Sequence, residues 1–298
     1  MAAEGGVRVC ILEESRERLR FLVEGAPLPL VNALRRAAYT DVPVMAIDYV
    51  EVFDNNTVLY DEIIAHRLGL IPLTSEAALE KYGWPEECQN AELGDPRCYA
   101  VLRLEVETGP NEERMVYSGD LEPQDPDVRP VYTNMPIVIM APDQRLRMQA
   151  YARLGYGKEH AKWMPVSVAA HRYLPIVEFN VEEMDRECMD CIEAAYPWLA
   201  ERMRKMGKGR LELLEDINSS ALYWCARKRC SRGFSLHFDD KRFIVKLEST
   251  GALPARRVAL EALRAVARKA ENLLAELAEL RRSGGKEEAP ESPQGPES

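Results

Sequence analysis

Four cysteines in the second half of the chain are the side chains whose type and spacing best suggest chemistry. Two residues separate Cys188 from Cys191, and four residues separate Cys225 from Cys230. A C-x-x-C pair lets two thiolates reach one ion, and thiolates are good ligands for zinc and for iron–sulfur clusters. The set therefore predicts a four-cysteine metal site, with a 3Fe-4S or 4Fe-4S cluster as the candidate cofactor.

The spacing of these cysteines leaves three interpretations open. A bacterial ferredoxin run needs a third cysteine three residues after the C-x-x-C pair, whereas position 194 here is alanine. The four side chains could hold a cluster or other metal, form one or two disulfides, or stay as packed thiols. Inside cells, disulfides are expected mainly in hyperthermophiles. The separate pair Cys88 and Cys98 cannot complete a tetrahedral zinc site, so ordinary or paired thiols are expected there.

No other motif predicts a catalytic group. The sequence contains neither HExxH, nor GxxxxGK[ST], nor a serine nucleophile elbow. The histidines are scattered along the chain, at His66, His160, His171 and His237. We therefore expect no catalytic residue on this chain.

Composition and charge restrict the class of protein. With 298 residues, 46% apolar and 30% charged, the chain can bury a substantial core in two or more domains. A net charge of −10 argues against a broad basic face that grips nucleic acid. No apolar run is long enough to span a bilayer, and no signal-peptide core is present, so a cytoplasmic protein is expected.

Residues 28 to 73 carry the densest local structure signals and must position much of the rest. Apolar residues three and four apart predict a helix from Leu28, and Pro43 prevents that helix from continuing. The next ten residues are rich in β-branched and aromatic side chains, which favour a strand. A second helix is expected from Asp61 to Gly69.

Two runs in this stretch, VNALRRAAYTDVP and DEIIAHRLGLIPL, closely resemble the D-type subunits of archaeal DNA-directed RNA polymerase. They are more distantly similar to the eukaryotic third-largest polymerase subunit and to the N-terminal domain of the bacterial alpha subunit. Residues 146 to 169, LRMQAYARLGYGKEHAKWMPVSVA, extend the resemblance into the middle of the chain.

The resemblance implies an α+β fold in three parts. Residues 1–43 with 235–282 would form a discontinuous dimerisation domain like that of the alpha subunit, and residues 44–174 a β-rich insert domain. Residues 175–234 would form a small ferredoxin-like third domain, in which some members of the family carry an iron–sulfur cluster and others have lost the ligands. The Pro-, Gly- and Glu-rich residues 283–298 are expected to be a disordered tail.

Between these elements a helix is expected from Pro197 to Met206, and a hairpin is expected around Asp239 and Asp240.

A long helix is expected over residues 255 to 282, because its apolar residues keep a three-four repeat. Such a stripe can face the chain's own sheet on one side and a partner helix on the other. The first helix lies in the dimer interface of the family, and its two adjacent arginines project about 100° apart. The predicted partner interface consists of Val31, Leu34, Arg35, Arg36, Leu260, Leu263, Ala267, Ala270, Leu274 and Leu277.

The resemblance also implies a function, that of a non-catalytic assembly platform within DNA-directed RNA polymerase. The chain would pair with the small subunit L and dock the large catalytic subunits and the small subunits N and P. It would meet DNA only through the assembled nucleotidyltransferase. The alternative is an iron–sulfur redox or electron-transfer protein, which predicts two intact ferredoxin runs that this sequence lacks.

Overall fold

The computed structural model describes residues 6–284, which form antiparallel sheets covered by helices. In chain order the strands are β1 (Arg8–Glu14), β2 (Arg18–Glu24), β3 (Val44–Asn55), β4 (Ala100–Glu107), β5 (Arg114–Tyr117), β6 (Glu122–Pro123), β7 (Pro136–Met140), β8 (Arg145–Gly155), β9 (Val166–Asn180), β10 (Lys208–Glu212) and β11 (Phe234–Ser249). The α-helices are α1 (Leu28–Thr40), α2 (Asp61–Gly69), α3 (Ala78–Lys81), α4 (Arg186–Ala195), α5 (Pro197–Met206), α6 (Ser219–Lys228) and α7 (Ala255–Gly284).

A five-stranded antiparallel sheet joins distant parts of the chain. Its strand order is β1-β2-β11-β9-β10, so a hairpin from the start of the chain pairs with a strand from near its end. Helices α1 and α7 cover one face of this sheet. Val31 and Leu34 of α1 lie in one buried cluster with Val258 and Ala262 of α7 and with Val245 of β11.

The opposite face of this sheet is covered by a loop. Leu214, between β10 and α6, packs against a small apolar cluster that contains Leu22 and Ile244. Two arginines of the sheet hold the loop through its main chain: Arg20 donates to the carbonyl of Leu214, and Arg172 donates to the carbonyls of residues 215 and 217. The loop therefore fixes the segment that follows β9 onto the back of the sheet.

A second sheet, of order β3-β8-β4-β6, makes up most of the middle of the chain. Inward side chains such as Leu102, Leu104 and Met148 are buried, whereas Arg103 and Glu105 point to solvent. This alternation is the pattern of a sheet with one face buried. Helix α2 packs against β3, and a small two-stranded antiparallel sheet of β5 and β7 lies beside it.

The segment between β9 and β11 has a small core of its own. Helices α4, α5 and α6 bury residues such as Ile192, Leu199, Met203 and Leu222 together. Strand β10 joins this segment to the five-stranded sheet by pairing with the end of β9. We call residues 181–233 the third segment; its likeness to ferredoxins stays a prediction.

Two details differ from the sequence-based expectations. A boundary after residue 174 would cut β9, which is continuous to Asn180, so the third segment begins later than expected. The pair Asp239 and Asp240 suggested a hairpin, but β11 runs through it with a bulge opposite β9. Of the expected tail 283–298, the first two residues continue α7, and residues 285–298 lie outside the described part of the chain.

Candidate functional site

Helix α7 presents two different faces. Toward the sheet it buries small residues, namely Val258, Ala259, Ala262 and Ala265. Its other side carries the predicted interface residues, all of them exposed: Leu260 (44%), Leu263 (44%), Ala267, Ala270, Leu274 (67%) and Leu277 (48%). We call this set the α7 stripe.

None of the described helices combines the length and apolar character needed to cross a membrane.

The stripe has the geometry of a helix-packing seam. Its residues follow one another in alternating steps of three and four, which is the heptad pattern of a coiled coil: Leu260, Leu263, Ala267, Ala270, Leu274 and Leu277. With 30 residues, α7 is about 45 Å long. Contiguous exposed apolar surfaces are typical of protein–protein contact sites.

Strand β1 adds apolar side chains that sequence reasoning did not assign. Val9 and Ile11 pair with Val23 and Phe21, so they lie on the sheet face that α1 and α7 cover. Val23 and Phe21 are buried, but Val9 is 57% and Ile11 49% exposed, because the helices leave these two side chains uncovered and α7 meets β1 at its far end, where Arg256 lies 3.1 Å from Glu14. Val7, at 52%, continues the row. The alternation of apolar residues at 7, 9 and 11 is the signal that could have identified them.

Helix α1 requires a correction to the predicted interface. Val31 and Leu34 are only 2% and 5% exposed, because the apolar side of α1 packs into the chain's own core. The open apolar residues of this helix are instead Leu28 and Leu30, at 40% and 38%. The interface is therefore revised to leave Val31 and Leu34 out.

The two predicted arginines of α1 have different surroundings. Arg35 is partly buried and donates a hydrogen bond to Oδ1 of Asn32 at 3.1 Å. Burial, and then the positive charge of Arg35, lower the pKa of His171 on β9 below its usual value. Arg36 is exposed and forms no salt bridge with the described residues. Arg36 is thus the arginine that is available to a partner.

The middle sheet and its loops brace α7. Nζ of Lys269 lies 2.7 Å from Oδ2 of the buried Asp41, next to β3. The guanidinium of Arg268 lies 5.1 Å from the ring centre of Trp84, which precedes the loop closed by the Cys88–Cys98 disulfide. These contacts fix the direction of the helix and hence of its stripe.

Residues 155–163, which we call the GYGKEHAKW run, form a compact turn beside β3. Asp48 accepts from Arg153 at 2.7 Å and from Lys162 at 2.5 Å, and both cations lie over the ring of Trp163. Burial alone would raise the pKa of Asp48, but hydrogen bonds and charges from the two cations outweigh it and lower that pKa. These contacts give the run a structural role.

The four candidate ligand cysteines do come together, as two disulfides between α4 and the end of α6. Cys188 is bonded to Cys230 and Cys191 to Cys225, with Cα–Cα distances of 4.6 and 5.8 Å. Cys188 and Cys225 are buried in the core of the third segment, whereas Cys191 and Cys230 are partly exposed. Of the three interpretations of these cysteines, the structure therefore has the one with two disulfides.

In this oxidised form the four sulfurs do not fit a cluster. Metal ligation needs thiolates, and each sulfur is already bonded to another sulfur. Among the side chains that the structure describes, no three Cys, His, Asp or Glu converge as a metal-binding group.

Comparison with known proteins adds to this geometry. The family model for the RNA polymerase Rpb3/RpoA insert domain matches residues 50–175, from within β3 to within β9, and so supports an insert domain as part of the fold. The DNA-directed RNA polymerase subunit Rpo3 of Aeropyrum pernix is 41% identical over 271 residues, covering 90% of this chain and 94% of the relative. Subunits Rpo3 of Methanothermobacter thermautotrophicus and Archaeoglobus fulgidus are each 35% identical; the alignments cover 89% and 88% of this chain and 97% and 95% of the relatives.

Proposed function

The chain belongs to the family of DNA-directed RNA polymerase subunit Rpo3, and we propose that it acts as a non-catalytic assembly platform of that polymerase in the cytoplasm. The complete enzyme is a nucleotidyltransferase, whereas this chain supplies surfaces for the other subunits. The observation that carries the proposal is the α7 stripe, an apolar face that residues 6–284 leave uncovered.

The proposed first partner is the small subunit L. Three apolar groups on one side of the five-stranded sheet support a helix-and-sheet partner: the α7 stripe, the β1 row and the exposed start of α1. A partner helix laid along the stripe would bury its leucines, and a partner sheet would cover the β1 edge. Burying these exposed apolar side chains would favour a stable pair.

The large catalytic subunits and subunits N and P would then dock on the same platform. Arg36 supports this arrangement, because it is exposed at the side of α1 and unpaired within the described chain. The net charge of −10 supports contact with DNA only through the assembled enzyme.

Charge substitutions in the stripe test the pairing. In Leu263→Asp or Ala270→Glu, a carboxylate would be buried against the partner without a counter-charge, which costs several kcal/mol. We expect affinity for co-expressed subunit L to fall at least about a hundredfold, measured by co-purification and light scattering.

The matched control for these variants is Asn272→Asp. It adds the same charge to the same helix, on the side away from the stripe, and should bind subunit L as the unmodified chain does. If Leu263→Asp and Ala270→Glu leave the heterodimer unchanged, α7 is not the interface.

The alternative, an iron–sulfur redox protein, is not favoured, since the similar proteins are polymerase subunits and the four cysteines are bonded in pairs. A cluster on Cys188, Cys191, Cys225 and Cys230 stays a prediction that requires both disulfides to be opened. Iron and sulfide analysis of the chain purified anaerobically tests it.

A further inference from the structure

A groove between α4 and α6 opens the third segment to solvent. It has a volume of about 590 Å³, and the Cys191–Cys225 disulfide lies among its lining residues. The small side chains of Ala194, Ala195 and Ala221 line the groove beside this disulfide. The groove therefore gives a large molecule a path to one particular disulfide.

The three disulfides differ in access. Cys88 and Cys98 are 7% and 6% exposed, and Cys188 is fully buried at 0%. Cys230 is partly exposed, but it does not line the groove. Cys191 is both partly exposed and a groove residue. Thiol–disulfide exchange requires a thiolate to reach a sulfur atom. The three disulfides should therefore be reduced in the order of their accessibility to a partner.

The geometry points to this groove as a docking and exchange site for a protein dithiol, which reduces Cys191–Cys225 before the other two disulfides. The disulfide beside the groove identifies the occupant, since a dithiol is the partner chemistry that a disulfide accepts. Because the three alanines have small side chains, the main chain of such a partner can come close to the disulfide. Trp224, 50% exposed at the edge of the groove, offers an apolar contact beside the bond.

The exchange proceeds in two balanced steps. A thiolate of the partner attacks Sγ of Cys191, forming a mixed disulfide, and the Cys225 sulfur leaves as a thiolate and takes a proton. The second thiol of the partner loses its proton and attacks its own half of the mixed disulfide, which releases Cys191 as a thiolate that takes up a proton. Two electrons and two protons pass from the dithiol to this chain, and the partner becomes a disulfide.

Reduction of the full chain by thioredoxin, regenerated with its reductase and NADPH, tests the order. Cysteines freed at each time are alkylated and then mapped by mass spectrometry. We expect Cys191–Cys225 to open at least about tenfold faster than Cys188–Cys230 and Cys88–Cys98. Equal rates, or Cys188–Cys230 opening first, would overturn the proposal.

Two variants separate docking from simple accessibility. Ala194→Phe fills the groove and should slow thioredoxin while leaving the small reductant tris(carboxyethyl)phosphine less affected; the exposed Ala161→Phe, outside the groove, is the matched control. A thioredoxin that lacks its second cysteine should be trapped as a mixed disulfide on Cys191. Trapping on Cys230 instead, or an Ala194→Phe chain reduced at the unmodified rate, contradicts the proposal.

Discussion

At the scale of single residues, Asp48 shows how the GYGKEHAKW run is held in place. Its carboxylate accepts hydrogen bonds from two cations that stack on the ring of Trp163. Replacing Asp48 by Asn removes the carboxylate that Arg153 and Lys162 share, although Arg153 keeps Glu159 at 3.2 Å. We expect Asp48→Asn to lower the free energy of unfolding at pH 7 by about 2 kcal/mol, measured by urea denaturation.

The pH dependence of this effect has a definite sign. The pKa of Asp48 is lowered in the folded chain, so its stabilisation is complete above the unfolded value of about 3.9 and is lost as the pH falls through the lowered value. The difference between Asp48→Asn and the unmodified chain should therefore shrink in acid. Asp240→Asn, at an exposed position, is the control. A difference that stays constant down to pH 3 would argue against the ion pairs as its source.

A glycine in the same run makes a second residue-scale prediction. A Cβ at position 157 would overlap the carbonyl oxygen of Tyr39, which belongs to the main chain and cannot turn away. We expect Gly157→Ala to destabilise the fold by about 1–3 kcal/mol, measured as a lower urea midpoint. Gly109→Ala, whose Cβ would meet only an ordinary contact with Glu112, should have little effect. Equal midpoints for the two variants would contradict the close approach at 157.

Single residues also show which features could not be predicted from the sequence. Sequence reasoning grouped the four third-segment cysteines as a metal site, with disulfides as an alternative, and the structure joins them as two disulfides. Four cysteines allow three pairings, and spacing does not choose among them. Sequence reasoning found the apolar side of α1, but a three-four repeat does not say whether that side meets the chain's own core or a partner. The burial of Val31 and Leu34 depends on the five-stranded sheet, whose strands come from distant parts of the sequence.

At the scale of elements, helix bounds were predictable where local signals were strong. Helix α5 begins at Pro197, as expected, because proline fits the first turn of a helix. Helix α2 ends at Gly69, also as expected, although this glycine does not adopt the positive φ of a glycine cap. The turn signal at Asp239 failed because β9 pairs with β11 on both sides of it, and the extra residues form a bulge instead. Long-range pairing overrode a local preference there.

The loop on the back of the five-stranded sheet gives an element-scale prediction. Arg172 donates to two main-chain carbonyls of this loop, so Arg172→Ala removes two of the hydrogen bonds that hold it. We expect faster amide hydrogen exchange in residues 213–217, with binding of subunit L unchanged, since the α7 stripe lies on the other face. Arg210→Ala, at an exposed position of β10, should leave exchange unchanged. Unaltered exchange in Arg172→Ala would show that the hydrogen bond from Arg20 and the packing of Leu214 suffice to hold the loop.

At the scale of the whole molecule, the three parts are joined in different ways. The middle sheet braces α7 through Asp41 and Trp84, so it helps to aim the proposed interface. The third segment instead leaves and rejoins the five-stranded sheet at one place. Phe179 pairs with Phe234, and the N–H of Asn180 donates to the carbonyl of Gly233 at 2.8 Å. The segment is thus an insertion whose two ends meet.

Removing the third segment therefore tests whether assembly depends on it. Joining Asn180 directly to Gly233, which removes residues 181–232 and keeps the last glycine of the segment, would create an Asn-Gly turn between paired strands, the two-residue hairpin loop that such strands favour. We expect this variant to retain subunit L, because the α7 stripe, β1 and α1 lie outside the deletion. It should unfold at a lower temperature, because Leu174 and Ile176 would lose the cover of Leu214. Co-purification and thermal unfolding measure the two effects separately, and a folded variant that no longer binds subunit L would place part of the interface in the third segment.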